Sequence, residues 1–237
     1  MRLIERGEKS GIRLRLLGGV AIRLLCKDII TEHPRLDRLC GDIDFVGLSE
    51  NTKIIEEVLH EEGFKPHKEF NFLNVASRML FSRNDMRLDV ILDEFRMNHH
   101  WPIRERLLPD TATLPIEDLM LTKLQIVQLN EKDVTDLLAL GLKSNTAPFD
   151  LPYIEDLCLS SWGFTYTVTN NCKKILDING DFANNCFNAA RNTYIHWVEK
   201  LQIANKSLVW RFRSLIGTKL RWYDKVEEEP LIDKAFS

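Results

Sequence analysis

Long apolar runs are missing from this chain, and no stretch approaches the length needed to span a bilayer. The first ten residues are densely charged and hold no apolar core of the signal-peptide kind, so the expectation is a cytoplasmic protein with no membrane partner. Paired cysteine motifs are missing too. Cys26, Cys40, Cys158, Cys172 and Cys186 are odd in number, widely spaced and without a histidine at ligand spacing. That pattern excludes a disulfide scaffold and a zinc module, and it reads as reduced, mostly core cysteines. Net charge is scarce as well: −3 over 237 residues gives no global attraction for nucleic acid. One local exception runs from Asn205 to Lys225, where Lys206, Arg211, Arg213, Lys219, Arg221 and Lys225 face the single acid Asp224. Internal repeats and low-complexity tracts are absent. A chain of this length can bury one large core or two modest ones.

What is present centres on Arg38-Leu39-Cys40-Gly41-Asp42-Ile43-Asp44-Phe45-Val46. Alternation along a strand sends the Asp42 and Asp44 carboxylates to one face and Ile43 and Phe45 to the other. Two like charges so close repel, and a divalent cation or an exposed strand end would offset the repulsion. Upstream, Ile12 to Leu17 alternates apolar with basic and runs into Gly18-Gly19, after which Val20 to Leu25 predicts a helix. Glycines at a strand-to-helix turn let a phosphate approach the backbone, and the helix N-terminus offers free N–H groups. Lys27 to Asp37 reads as a loop.

Farther on, Ser49 is the expected N-cap of a helix over Glu50–Glu62 that ends at Gly63. Met79–Phe81 and Met86–Leu92 flank Arg83-Asn84-Asp85 and predict a hairpin. Asp89 then lies inside an otherwise apolar strand. A lone charge there is costly, and either a cation shared with Asp42 and Asp44 or a basic partner would relieve it. Leu114 to Leu124 opens as a helix with Pro115 and two acids, carrying Lys123 on a mainly apolar stripe. A further helix starts near Glu131 and is expected to stop at Gly141, with Asn145–Pro152 as a linker. Phe182, Cys186, Ala190, Thr193, Trp197 and Leu201 recur at helical spacing as a core stripe. Leu208–Arg213 and Arg221–Tyr223 interleave aromatics with arginines, which suits either base stacking or core aromatics with solvated arginines.

Taken in order, Gly18-Gly19, Arg38 with Asp42-Ile43-Asp44, Arg87-Leu88-Asp89-Val90, Leu119 to Lys123, Lys132-Asp133 and Asp136-Leu137 resemble the DNA polymerase β-like nucleotidyltransferase superfamily. Within it the likeness is to the branch of AbiEii-type toxins of type IV toxin–antitoxin systems, and it covers roughly the first 140 residues. The resemblance implies an α+β nucleotidyltransferase core over residues 1–112, a mixed sheet flanked by helices, followed by a helical C-terminal domain over 113–237. It implies Asp42, Asp44 and Asp89 as catalytic ligands of Mg2+, or Mn2+ in its place. Gly18, Gly19, Arg38 and Lys123 would bind the nucleotide. The implied substrates are an NTP and an acceptor hydroxyl on RNA, tRNA or protein, with an antitoxin as a partner. A small-molecule acceptor such as an antibiotic, or an inactive binding module of the same fold, stays open. Two departures stand out: Cys40 replaces the usual Thr, and 23 positions separate Gly19 from Asp42.

Overall fold

The period-2 alternation around Asp42 and Asp89 is what builds the centre of the molecule. In the computed structural model, which describes residues 1–177 and 185–226, α1 (Arg2–Lys9) leads to β1 (Arg15–Leu17), α2 (Gly18–Leu25) and α3 (Lys27–Glu32). Next come β2 (Asp42–Gly47), α4 (Thr52–Glu61), β3 (Lys65–Pro66), α5 (Lys68–Leu73), β4 (Arg78–Arg83) and β5 (Met86–Leu92). The five strands form one mixed sheet in the order β1-β2-β5-β4-β3. β2 and β5 run parallel, as a crossover through α4 requires, and every other pairing is antiparallel. Asn84 adopts φ 53° in the two-residue turn between β4 and β5, a conformation Asn tolerates.

A two-stranded ribbon follows, β6 (Glu94–Arg96) with β7 (His100–Pro102). The chain then returns to the sheet edge, where Leu16 N–H donates to Ala112 O at 2.9 Å and Leu114 N–H to Leu16 O at 2.9 Å. From there it enters the helices: α6 (Ile116–Leu124), α7 (Glu131–Lys143), α8 (Leu151–Leu159), α9 (Trp162–Leu176), α10 (Asn188–Ile203) and α11 (Leu208–Ile216). The architecture is thus α+β, a mixed sheet flanked by helices with a helical C-terminal region. Among the described residues, one buried apolar cluster takes in side chains from Ile4 to Leu201. Among the described residues no helix is long and apolar enough to cross a membrane.

Several local expectations are corrected. Lys27–Asp37 is not a loop: α3 and a 3-10 turn over Pro34–Leu36 occupy it, held by burial of Ile29 and Leu36. Ser49 does not cap α4, because its backbone N–H and hydroxyl both donate to Asp93 instead. α7 runs through Gly141 to Lys143. A Cβ at Gly141 would meet Ala190 Cβ and Tyr194 Cε2 at 3.0 Å, so this glycine serves close helix packing rather than helix ending. The expected linker is already helical at Leu151 and Pro152, with Asp150 accepting from Tyr153 N–H as the cap. Ala190, Trp197 and Leu201 are buried as a stripe should be, whereas Cys186 is exposed and Phe182 lies outside the described residues.

The arginine–aromatic segments are only partly folded in: α11 buries no residue, and Phe212, Arg211 and Arg221 are exposed. Trp210 and Trp222 donate their indole N–H to Thr165 Oγ1 and Thr167 Oγ1, each at 3.1 Å. Arg213 lies 4.8 Å from the Trp162 ring centre and donates to the carbonyls of Gly217 and Leu220. Two of the tryptophans and one arginine offered for base stacking therefore have internal partners.

Nearby, His99 is buried with Nε2 2.9 Å from Thr167 Oγ1 and its ring stacked on Phe164. Burial pushes its pKa down to about 4, against a smaller opposing pull from Asp224. The folded pKa lies below the ordinary value of about 6.5, so the contribution is complete above pH 6.5 and is lost as pH falls toward 4. Urea melts across that window should show about 3 kcal/mol of acid destabilisation that His99→Gln removes. Equal pH slopes in the two proteins would sink the assignment.

Candidate active site

The parallel register of β2 with β5 decides where the carboxylates meet. Asp44 is the direct partner of Asp89, and Asp42 lies two residues back on the same strand face, opposite Arg87. Ile43, Phe45, Leu88 and Val90 point to the other face. Sequence alternation alone could place each aspartate on a face; the register brings the two strands' faces together. Asp42 is exposed, Asp44 partly buried and Asp89 buried at 5%. Burial first, then the charges of Asp89 and Asp42, push the Asp44 carboxyl up to about 6.

Gly18 is pressed against this group. Its φ is +70°, and a Cβ there would lie 2.1 Å from Asp44 Oδ2. No side chain other than hydrogen fits. Gly19 is as tightly placed against the neighbouring residues, since a Cβ at this position would fall 2.5 Å from Arg38 Nη2 and 3.0 Å from Cys40 Sγ. The two glycines therefore bring the start of α2 onto Asp44 and Arg38. No side chain caps that helix start, which leaves its first N–H groups open to an anion.

Arg38 and Lys123 arrive from distant parts of the sequence to share acids on α7. Arg38 grips Asp136 with two hydrogen bonds, Nε to Oδ1 at 2.7 Å and Nη2 to Oδ2 at 2.6 Å. Lys123 Nζ lies 2.9 Å from Asp133 Oδ1 and 3.0 Å from Asp136 Oδ2. Asp133 also completes a capping box with Asn130 at the start of α7. Lys123 is partly buried, which alone would lower its pKa, yet Asp136 and Asp133 raise it overall, so the ammonium keeps its charge. It lowers the pKa of Asp44, while Asp89 and Asp42 raise it.

Asp133 and Asp136 belong to the string of residues that carries the resemblance, but sequence reading gave them no role. Their spacing of three on a helix, with Lys123 on the helix before, was the available signal. Asp136→Asn should weaken both charged contacts and destabilise the fold by about 2 kcal/mol. A melting curve that matches the parent would show that the cluster is not holding α7.

Arg78 is the other group that sequence reading missed. It reaches from β4 to Asp89, with Nε 2.9 Å from both carboxylate oxygens and Nη2 in a shorter contact to Oδ2. Among the described residues, no three His, Cys, Asp or Glu side chains are gathered into a group that could hold a metal ion. The donor chemistry nonetheless fits a hard cation: Asp42, Asp44 and Asp89 offer only carboxylate oxygens. Positive charge there would also relieve the repulsion that raises Asp44.

Beside the site, α2 and α3 enclose a cleft of about 610 Å3 lined by Val20, Arg23, Leu24, Lys27, Ile30, Thr31, Pro34 and Asp37. Within it Arg23 pairs with Asp37 at 2.6 Å.

No protein-family model matches the chain. No curated protein matches it either. Among solved structures, the antibiotic-resistance factor ANT(2'')-Ia, determined in solution, is similar to 85% of this chain over 91% of its own length, at 12% identity and a TM-score of 0.37. At that TM-score the likeness adds nothing to the geometry above.

Proposed function

We propose that this chain is a Mg-dependent nucleotidyltransferase that moves a nucleoside monophosphate from an NTP to an acceptor hydroxyl. The observation that carries the reading is the sheet register. It lines up Asp42, Asp44 and Asp89 on one face, with the Gly18-Gly19 helix start packed against Asp44. In such a transfer the acceptor oxygen attacks the α-phosphorus and pyrophosphate leaves, so negative charge grows on the phosphoryl oxygens. Mg2+ held by the three carboxylates would lower the acceptor's pKa and balance that charge. The chain's own part is to position: Gly18 and Gly19 let the start of α2 pack onto Asp44 and Arg38, and its uncapped N–H groups would meet the triphosphate. Lys123 and Arg38, held in place by Asp133 and Asp136, would contact its phosphates from the side packed on α7.

The resemblance to AbiEii-type toxins supplies RNA, tRNA or protein as the acceptor and an antitoxin as the partner. A second reading takes a small-molecule hydroxyl as the acceptor.

The test is incubation with Mg2+ and each α-phosphate-labelled NTP, with and without total RNA or a panel of hydroxylated antibiotics, beside Asp44→Ala. Label on RNA, on the protein or on a small molecule, seen only with the parent chain, supports transfer and identifies the acceptor. Absence of both transfer and Mg-dependent NTP binding would overturn the reading.

A further inference from the structure

Asp89 has a charged neighbour on each side along the same face of the sheet. Across the β2–β5 pairing stands Asp44, and across the β4–β5 pairing stands Arg78. The carboxylate is committed to the second, since both of its oxygens lie 2.9 Å from Arg78 Nε. Arg78 is not the register partner of Asp89. That position belongs to Leu80, and Arg78 lies opposite Ile91, two residues along. Only a long side chain laid along β4 makes the contact.

The pair is also asymmetric in exposure. The Asp89 side chain is 7% exposed and that of Arg78 is 35% exposed. The carboxylate is fixed in the sheet, while the guanidinium reaches it from the solvent side over Phe70, 5.7 Å from the ring centre. Of the two partners, the guanidinium is the one that solvent reaches.

A carboxylate held by a guanidinium is a poorer ligand for a cation, because two positive groups then compete for the same oxygens. Removing the guanidinium with nothing in its place would leave Asp89 beside Asp44 with their repulsion unrelieved. We propose, on the basis of the nucleotidyl-transfer reading above, that Arg78 is a displaceable counter-ion. It holds Asp89 while no divalent cation is bound, and cation entry transfers Asp89 from Arg78 to the Asp42–Asp44 pair. Arg78 is thus a positioning residue that sets how tightly the site takes its metal. The exchange is electrostatic, and no covalent bond changes.

The test measures Mn2+ binding by paramagnetic resonance, without nucleotide, together with thermal melting in EDTA and in Mn2+. The proteins are the parent, Asp44→Asn, Arg78→Met, Arg78→Lys and the double variant Arg78→Met/Asp89→Asn. The parent should bind Mn2+ and Asp44→Asn should not. Arg78→Met should bind about tenfold more tightly, the scale of a lost charged hydrogen-bond pair. It should also melt below the parent in EDTA and recover that loss in Mn2+, a gain that a merely structural arginine would not produce. The double variant should regain its stability in EDTA but lose the tighter binding.

If the parent binds Mn2+ through Asp44 and a folded Arg78→Met variant binds no more tightly, the counter-ion proposal is wrong and the enzyme reading stands. Should Arg78→Met fail to fold, Arg78→Lys decides. It keeps the charge but loses the forked contact, so unchanged affinity there also overturns the proposal. If the parent shows no Mn2+ binding that Asp44→Asn removes, the nucleotidyl-transfer reading itself falls and takes the proposal with it.

Discussion

Asp44→Asn is expected to lower nucleotidyl transfer by on the order of a thousandfold while making the metal-free protein more stable. The loss follows from removing the carboxylate that sits between the other two. Charge stabilisation by a bound cation contributes several kcal/mol at the transition state, and about 4 kcal/mol corresponds to three decades in rate. The stability gain comes from the same crowding. Burial and the charges of Asp89 and Asp42 push the Asp44 carboxyl up to about 6. A raised carboxyl pKa means that ionisation disfavours the folded state, so stability falls as pH rises from about 4 to about 6 and stays lower above. Asparagine removes that penalty. In EDTA at pH 7.5 the variant should be more stable by about 2 kcal/mol after allowing for partial solvent screening, and the difference should vanish near pH 4. Urea melts at the two pH values, with the labelled-NTP assay, check both halves. A variant that loses activity and stability together would instead mark Asp44 as a structural residue.

Gly18→Ala should be nearly as damaging, although it adds a single methyl group. The residue holds φ +70°, where a Cβ is strained, and the new carbon would fall 2.1 Å from Asp44 Oδ2. Left-handed strain of about 1 kcal/mol and an overpacking term of about 3 kcal/mol both apply. Relief requires the Asp44 carboxylate or the start of α2 to move. A displacement near 1 Å in a positioned site is worth about a hundredfold in rate. The expected result is a lower melting temperature with a fall in kcat. Gly11→Ala is the matched control: its φ is also positive, at +77°, but a Cβ there meets nothing within 4 Å. It should show the backbone penalty alone and retain activity. Equal behaviour of the two variants would mean that the Gly18–Asp44 contact plays no part in holding the site.

The parts of the site that were legible in the sequence depend on local periodicity. The same-face placement of Asp42 and Asp44 follows from strand alternation, and the Gly18-Gly19 turn from its position between a strand pattern and a helix pattern. Asp89 stood out because a charge interrupts an apolar strand. The illegible parts depend on register and tertiary packing. The Arg78–Asp89 contact needs the offset between β4 and β5, and the Arg38–Asp136 pair joins residues 98 positions apart. Gly141 misled because glycine as a helix stop and glycine as a helix-packing surface look identical in one dimension. Ser49 misled for a similar reason: its hydroxyl had a competing acceptor, Asp93, that only the folded chain brings near. Lys27–Asp37 contains His33 and Pro34, which suggest a loop, yet burial of Ile29 and Leu36 on neighbouring elements holds it in helical turns.

The distance along the chain between Arg38 and Asp136 also bears on when the site can form. Local strands and turns close quickly, but a contact spanning 98 residues must wait for its loop to close. During synthesis, the three aspartates and both glycines emerge well before α7. A ribosome-bound chain that ends before Asp136 therefore carries the carboxylates without the acid that ties Arg38 and Lys123 in place. On the nucleotidyl-transfer reading, competence to bind a nucleotide would then appear abruptly, late in translation, rather than grow with chain length.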